Sequence, residues 1–245
     1  MRLTIGDGAL SLRVMENEPH FFERGQVLLI DKPLEWTSFD VVRKLRRLVR
    51  TKKVGHAGTL DPLATGLLIV CTGKFTRRIN EYMARQKEYT GAVTLGAVTP
   101  TYDLESEPVF CGDYSAVTLS QVHETIAARF LGEIMQVPPA HSAIKVGGKR
   151  GYELARKGRE VVLEPRRVVI SAFEVTEFRL PVIRFRVVCS TGTYIRSLAS
   201  DLGAALGCGG YLSGLRRTRI GEFRVEDAMT MEGAEEYIRG VFERS

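Results

Sequence analysis

Asp61 stands at the centre of Lys53 to Leu68, KVGHAGTLDPLATGLL, where three glycines, two threonines and a proline surround one histidine and one aspartate. This is loop composition carrying reactive side chains, rather than the composition of a helix or a strand. A carboxylate fixed in such a loop can act as a nucleophile or stabilise a cation as it develops. Pro62 disfavours the helical region for the residue before it, so Asp61 is expected in extended backbone. Gly55, Gly58 and Gly66 supply conformations that a side chain forbids and let another backbone approach closely. The plain alternative is an Asp-Pro turn leading into a buried strand, Leu67 to Cys71. A hydrolase built on His56 and Asp61 would need a serine or cysteine nucleophile, and the loop offers only Thr59 and Thr65.

The loop must be held by what precedes it. Gln26 to Asp31 reads as a short apolar strand, and Thr37 or Ser38 caps a helix in which Val41, Val42, Leu45, Leu48 and Val49 form one buried stripe. Its other face carries Arg43, Lys44, Arg46, Arg47 and Arg50, followed by Lys52 and Lys53, with only Asp40 nearby to offset them. Like charges packed so closely repel unless an anion neutralises them, so this face reads as a phosphate-binding ramp leading to Asp61.

Further along, Lys74 to Arg85 reads as a helix and Lys87 to Gly96 as a half-buried strand containing Tyr89. Thr99 to Glu105 is a polar loop to which no chemistry is assigned. A capping box, Thr118 with Gln121, opens a helix carrying Val122, Ile126 and Phe130 on one stripe, with His123 on its surface. Lys145, Lys149, Arg150, Arg156, Lys157 and Arg159 form a second basic cluster. Arg166 to Leu180 and Val182 to Cys189 alternate as two strands, and a helix from Tyr194 turns Ile195, Leu198, Ala199 and Leu202 inward, leaving Arg196 on another face. Met1 to Gly25 reads as a Gly-turn hairpin or a partly ordered extension.

The stretch Gly55 to Gly66, GHAGTLDPLATG, resembles the signature of the TruB-type tRNA pseudouridine synthases. Other segments in the same order are similar to that family: Asp31-Lys32-Pro33 with Thr37-Ser38, the Lys-x-Tyr of Lys87 to Tyr89, His141-Ser142-Ala143 where the family usually has Tyr-Ser-Ala, Gly192 to Arg196, and Tyr211 to Thr218. The resemblance covers about Gln26 to Met229. It implies an α+β fold, a pseudouridine synthase-like catalytic domain with a mixed, mostly antiparallel central sheet flanked by helices. Three segments follow: 1–25 as an N-terminal extension, 26–230 as the catalytic domain, and 231–245 as a terminal helix with no separate C-terminal RNA-binding domain.

The resemblance also implies the roles. Asp61, Tyr89 and Arg196 form the catalytic set, with Tyr89 facing the target base and Arg196 the carboxylate's charge partner. His56, Tyr194, Leu215 and Lys32 contact the substrate, His56 filling the space a flipped base leaves and Leu215 bordering its pocket. The implied substrate is uridine 55 in the T-arm stem-loop of tRNA, and no cofactor or metal is expected. A non-catalytic RNA-binding or tRNA-folding protein is the alternative, since it would need the basic clusters but not an ionised Asp61.

Composition sets outer limits. At 245 residues, 44% hydrophobic and 26% charged, the chain has ordinary globular composition, and its net charge of +6 favours polyanions where the cations cluster. Cys71, Cys111, Cys189 and Cys208 form no metal-ligand or disulfide pattern, which fits a reducing cytoplasm. No apolar run approaches the length of a membrane span, and a monomer is the default expectation.

Overall fold

The computed structural model describes residues 20–142, 145–146, 149–150 and 163–243. The expected hairpin, Leu3 to Val14 within Met1 to Gly25, lies outside them, as do Arg156, Lys157 and Arg159 of the second basic cluster; Phe21–Arg24 near the end of that extension form a short helix. In chain order the first half runs α1 (Phe21–Arg24), β1 (Val27–Lys32), α2 (Ser38–Leu48), β2 (Val54–His56), β3 (Ala64–Thr72), α3 (Ile79–Met83), β4 (Lys87–Leu95), β5 (Ala97–Val98), β6 (Val109–Phe110) and α4 (Leu119–Arg129). Then come β7 (Gly132–Gln136), β8 (Lys145–Val146), β9 (Lys149–Arg150), β10 (Arg166–Arg179), β11 (Val182–Cys189), α5 (Ile195–Ala205), β12 (Gly210–Ile220), β13 (Phe223–Arg224) and α6 (Met231–Glu243). Helices and antiparallel strands mix as an α+β fold, and no described helix is long and apolar enough to cross a membrane.

The chain divides into two compact units, Met1–Met83 with Phe223–Ser245, and Ala84–Glu222. In the first, β1 and β2 both run antiparallel to β3, with Lys32 opposite Gly66 and His56 opposite Val70. Leu67 through Cys71 are fully buried. Val41, Val42 and Leu45 of α2, with Val49 just after it, pack with Ile238 and Val241 of α6 against Ile30, Leu68 and Val70. The predicted stripe is therefore the observed one, with Leu48 at its margin. Thr37 caps α2 through a reciprocal box with Asp40, which satisfies amide groups that a helix start leaves without partners.

Two local expectations change here. The Asp61 stretch is not loop throughout: Val54–His56 is a strand, and the expected strand from Leu67 to Cys71 extends to Ala64–Thr72, because backbone pairing to β3 and β1 overrides the local composition. Gly66 takes φ +100° yet still pairs with Lys32. The expected helix from Lys74 to Arg85 is a 3-10 segment, Gly73–Arg78, followed by the single short helix α3.

In the second unit the strand order is β12, β4, β11, β10, β7, each antiparallel to its neighbour. Helix α5 lies on β12 so closely that a Cβ on Gly203 would stand 2.1 Å from the Gly210 nitrogen. Phe130, Phe173 and Phe185 stack edge to face across the sheet and α4, with ring centroids 6.1 and 5.6 Å apart.

Candidate active-site residues

Asp61 and its supports belong to the first unit. The residues on each side of it are held by side chains from far back in the chain. The Ser38 hydroxyl donates to the Leu60 carbonyl at 3.1 Å and accepts from the Leu60 amide at 2.8 Å. After it, the Pro62 carbonyl accepts from the Glu35 amide at 2.9 Å and from the Lys32 ammonium at 3.3 Å. Asp61 begins a turn closed by the Ala64 amide on its own carbonyl, 3.1 Å away. Its side chain is half-buried. Neighbouring amides clamped this firmly leave the carboxylate little freedom to reorient, which is the condition for catalysis by a preplaced charge.

Lys32 is fully buried, and its ammonium also donates to the carbonyls of Pro33 at 2.8 Å and Trp36 at 2.5 Å. These bonds tie its side chain to three backbone carbonyls around the loop. His56 ends β2, half-buried. Among the three glycines, Gly58 and Gly66 take positive φ, at +94° and +100°. Gly55 packs against Ile79, whose Cδ1 would lie 2.8 Å from a Cβ there.

The second unit holds Tyr89, Tyr194, Arg196 and Leu215. Tyr89 on β4 is opposite Val187 on β11 and Arg217 on β12; two residues on, Gly91 is opposite Phe185 and Leu215. Directly opposed residues point to one face, so Tyr89 and Leu215 are diagonal neighbours there. Gly91 permits this arrangement, because a Cβ would meet the Gly214 carbonyl oxygen at 2.6 Å and the Phe185 ring at 2.7 Å. Tyr89 is buried and Leu215 half-buried.

Lys87 lies on the same face of β4 as Tyr89 and donates to the Arg85 carbonyl at 2.6 Å. Burial, helped by the Arg217 guanidinium, lowers its pKa to about 8. Arg217 itself is 1% exposed. Tyr194 caps α5, with its amide and carbonyl both bonded to the Gln136 side chain at 2.8 and 3.0 Å. The Arg166 guanidinium lies 4.4 Å from the centre of its ring.

Arg196 departs from expectation. Helical spacing placed it on a face away from the core, whereas it is 5% exposed. Its guanidinium donates to the carbonyls of Thr101 at 3.2 Å and His141 at 3.0 Å, and lies 3.7 Å from the Asp103 carboxylate. Loop acceptors of this kind offset the loss of water around a buried cation. Asp103, itself 4% exposed, lies in the polar loop to which no chemistry was assigned. Sequence reasoning missed it because an acidic residue in a polar loop looks solvated; the buried arginine that needs it comes far later in the chain, beyond β11.

The chain is similar to known proteins in sequence and in fold. Residues 46–195 match the model of the TruB family pseudouridylate synthase N-terminal domain, and residues 196–240 match that of the tRNA pseudouridylate synthase B C-terminal domain. The chain is 50% identical over 223 residues to the tRNA pseudouridine synthase B of Phocaeicola vulgatus, covering 89% of this chain and 94% of that one. It is 51% identical over 228 residues to the same enzyme of Flavobacterium johnsoniae, covering 90% and 99%. Among solved structures, a Cbf5-Nop10-Gar1 complex matches with TM-score 0.69 and 32% identity over 88% of this chain. An H/ACA RNP bound to a substrate RNA containing 2'-deoxyuridine matches with TM-score 0.67 and 30% identity over 91%. The chain spans only 55% and 56% of those two structural neighbours.

Proposed function

Because the chain belongs to the TruB family of pseudouridylate synthases, we propose that it converts uridine 55 in the T-arm of tRNA to pseudouridine, with Asp61 as the catalytic carboxylate. Formation of pseudouridine in tRNA is the activity of its half-identical relatives, and the chain is an isomerase of this class. The observation that carries the finer reading is the double clamp on the Asp61 loop, Leu60 by Ser38 and Pro62 by Lys32 and Glu35. It supports a carboxylate held ready before the substrate arrives.

In this reading the uridine leaves its stack at a cost of about a few kcal/mol, and His56 occupies the space it vacates. The N1 to C1′ bond breaks, the uracil turns, and C5 bonds to C1′. C5 then loses its proton and N1 gains one, so the reaction conserves atoms and oxidation state. Asp61 assists base detachment, as a nucleophile or by stabilising the charge that develops at the sugar. Tyr89 faces the base and takes the C5 proton, a role that requires its phenol to give up its own proton first, which an ordinary phenol of pKa about 10 does not do unaided at neutral pH. Leu215, its diagonal neighbour, borders the base with apolar surface, and Tyr194 contacts the RNA. Arg196 acts as the charge partner of the carboxylate, held in shape by Thr101, His141 and Asp103. Lys32 contributes through the loop rather than through the RNA. Without a cofactor, a monomer suffices for these steps.

Carbodiimide modification followed by primer extension on an unmodified tRNA transcript tests the site. A single stop at uridine 55 after treatment with the protein is expected. Stops at other uridines, with none at 55, would overturn the assignment.

A further inference from the structure

Beside α2 in the first unit lies an open hollow of about 440 Å³ whose lining includes Trp36, Leu48, Arg43, Lys44 and Arg47. Its size is that of a site for one small ligand. Trp36 is the chain's single tryptophan and is half-buried. The Lys44 ammonium stands 6.0 Å from the centre of its ring and 3.1 Å from Glu235. Two carboxylates, Glu35 and Asp40, also line the cavity. Asp40 is committed to the helix cap, accepting from the Thr37 amide at 3.0 Å and from Arg43 at 2.7 Å. Arg47 is exposed. In sequence on either side of Trp36, Leu34 and Phe39 are 54% and 58% exposed.

An indole wall beside three cations matches one chemistry well. A nucleotide offers a flat base to stack on the ring and a phosphate for the guanidinium groups. An acidic peptide would use the cations and leave the indole idle. We propose that this cavity is a nucleotide subsite, in which one unpaired base of the RNA stacks on Trp36 while its phosphate is held by Arg43 and Arg47. The proposal rests on the reading of the protein as an RNA-modifying enzyme and adds a contact remote from the reacting uridine. Its link to the Asp61 loop runs through one side chain: the Trp36 and Pro62 carbonyls both accept from the Lys32 ammonium.

The single tryptophan makes the test direct. The full chain is titrated with an unmodified T-arm stem-loop RNA at fixed salt, following tryptophan emission and, separately, gel mobility; tritium release from C5-labelled RNA is measured on the same samples. Saturable quenching that tracks the mobility shift is expected. Trp36→Leu should weaken binding about tenfold and Trp36→Phe should restore most of it, because a phenyl ring still stacks. Arg47→Ala should reduce the slope of log affinity against log salt by about 0.7 to 0.9. Circular-dichroism melting confirms that each variant is folded.

RNA that shifts in the gel without changing emission, together with wild-type binding by Trp36→Leu, would overturn the subsite whether or not tritium is released. Equal quenching by polyglutamate would overturn base stacking. Quenching by RNA without tritium release would leave the subsite standing and reject the synthase reading for that RNA.

Discussion

The Lys32 ammonium lies 3.3 Å from the Pro62 carbonyl oxygen, across 30 positions of sequence, and so ties the end of β1 to the residue that follows Asp61. A buried cation is normally a liability; here it donates to three loop carbonyls that would otherwise lack its hydrogen bonds. Lys32→Met keeps the length of the side chain and removes every donor. It should lower unfolding free energy by about 1 to 3 kcal/mol, the usual cost of leaving buried acceptors without a partner, and reduce kcat more than it changes KM. Urea denaturation and single-turnover kinetics measure the two effects.

Ser38→Ala removes the clamp on the other side of Asp61. Both the Leu60 amide and carbonyl lose their partner in a buried place, at a cost of about 1 to 3 kcal/mol. The helix keeps its cap on Thr37, so circular dichroism should show unchanged helix content while turnover falls.

Gly91→Ala tests the face that carries Tyr89 and Leu215. The added methyl has the Gly214 carbonyl oxygen 2.6 Å away, and a backbone atom in a paired strand moves little. A loss of about 1 to 3 kcal/mol is expected from overpacking, with a rise in KM for RNA. Unchanged stability and kinetics would mean that β4 and β12 are not packed this closely.

Lys87 gives stability a pH dependence whose sign follows from its burial. Its folded pKa, about 8, lies below the ordinary lysine value of 10.5. Between these values the unfolded chain holds a proton that the folded chain has released, so raising pH favours the fold. The gain is at most about 1.4 kcal/mol per pH unit in that window and vanishes below pH 8, where both states are protonated. Urea denaturation of wild type and Lys87→Met at pH 7.5 and 9.5 should show wild type gaining relative to the variant at the higher pH.

How much of this was legible in the sequence depends on the distance over which each feature is set. The helix caps at Thr37 and Thr118, the buried stripe of α2 and the paired strands β10 and β11 are local patterns, and the structure follows them closely. The Asp61 motif was equally plain, but what holds it was not. Ser38 and Lys32 read as a helix start and a motif member, and only folding brings them to Leu60 and Pro62. Arg196 was misplaced for a related reason: helical periodicity treats a charge on the polar face as solvated, whereas Thr101, His141 and Asp103 close over it from distant loops. At the ends of the Asp61 stretch the buried strand from Leu67 was legible, while Val54–His56 and the first residues of β3 were hidden by glycine and threonine content, which backbone pairing to β3 and β1 outweighs.

The most direct measurement of the central claim is tritium release from tRNA labelled at uridine C5, comparing wild type with Asp61→Asn. Release by wild type is expected, with a loss of at least about a thousandfold in the variant, in line with removal of a catalytic group, while tRNA affinity and melting temperature are retained. Release by a folded Asp61→Asn protein at a rate near that of wild type would contradict a catalytic Asp61.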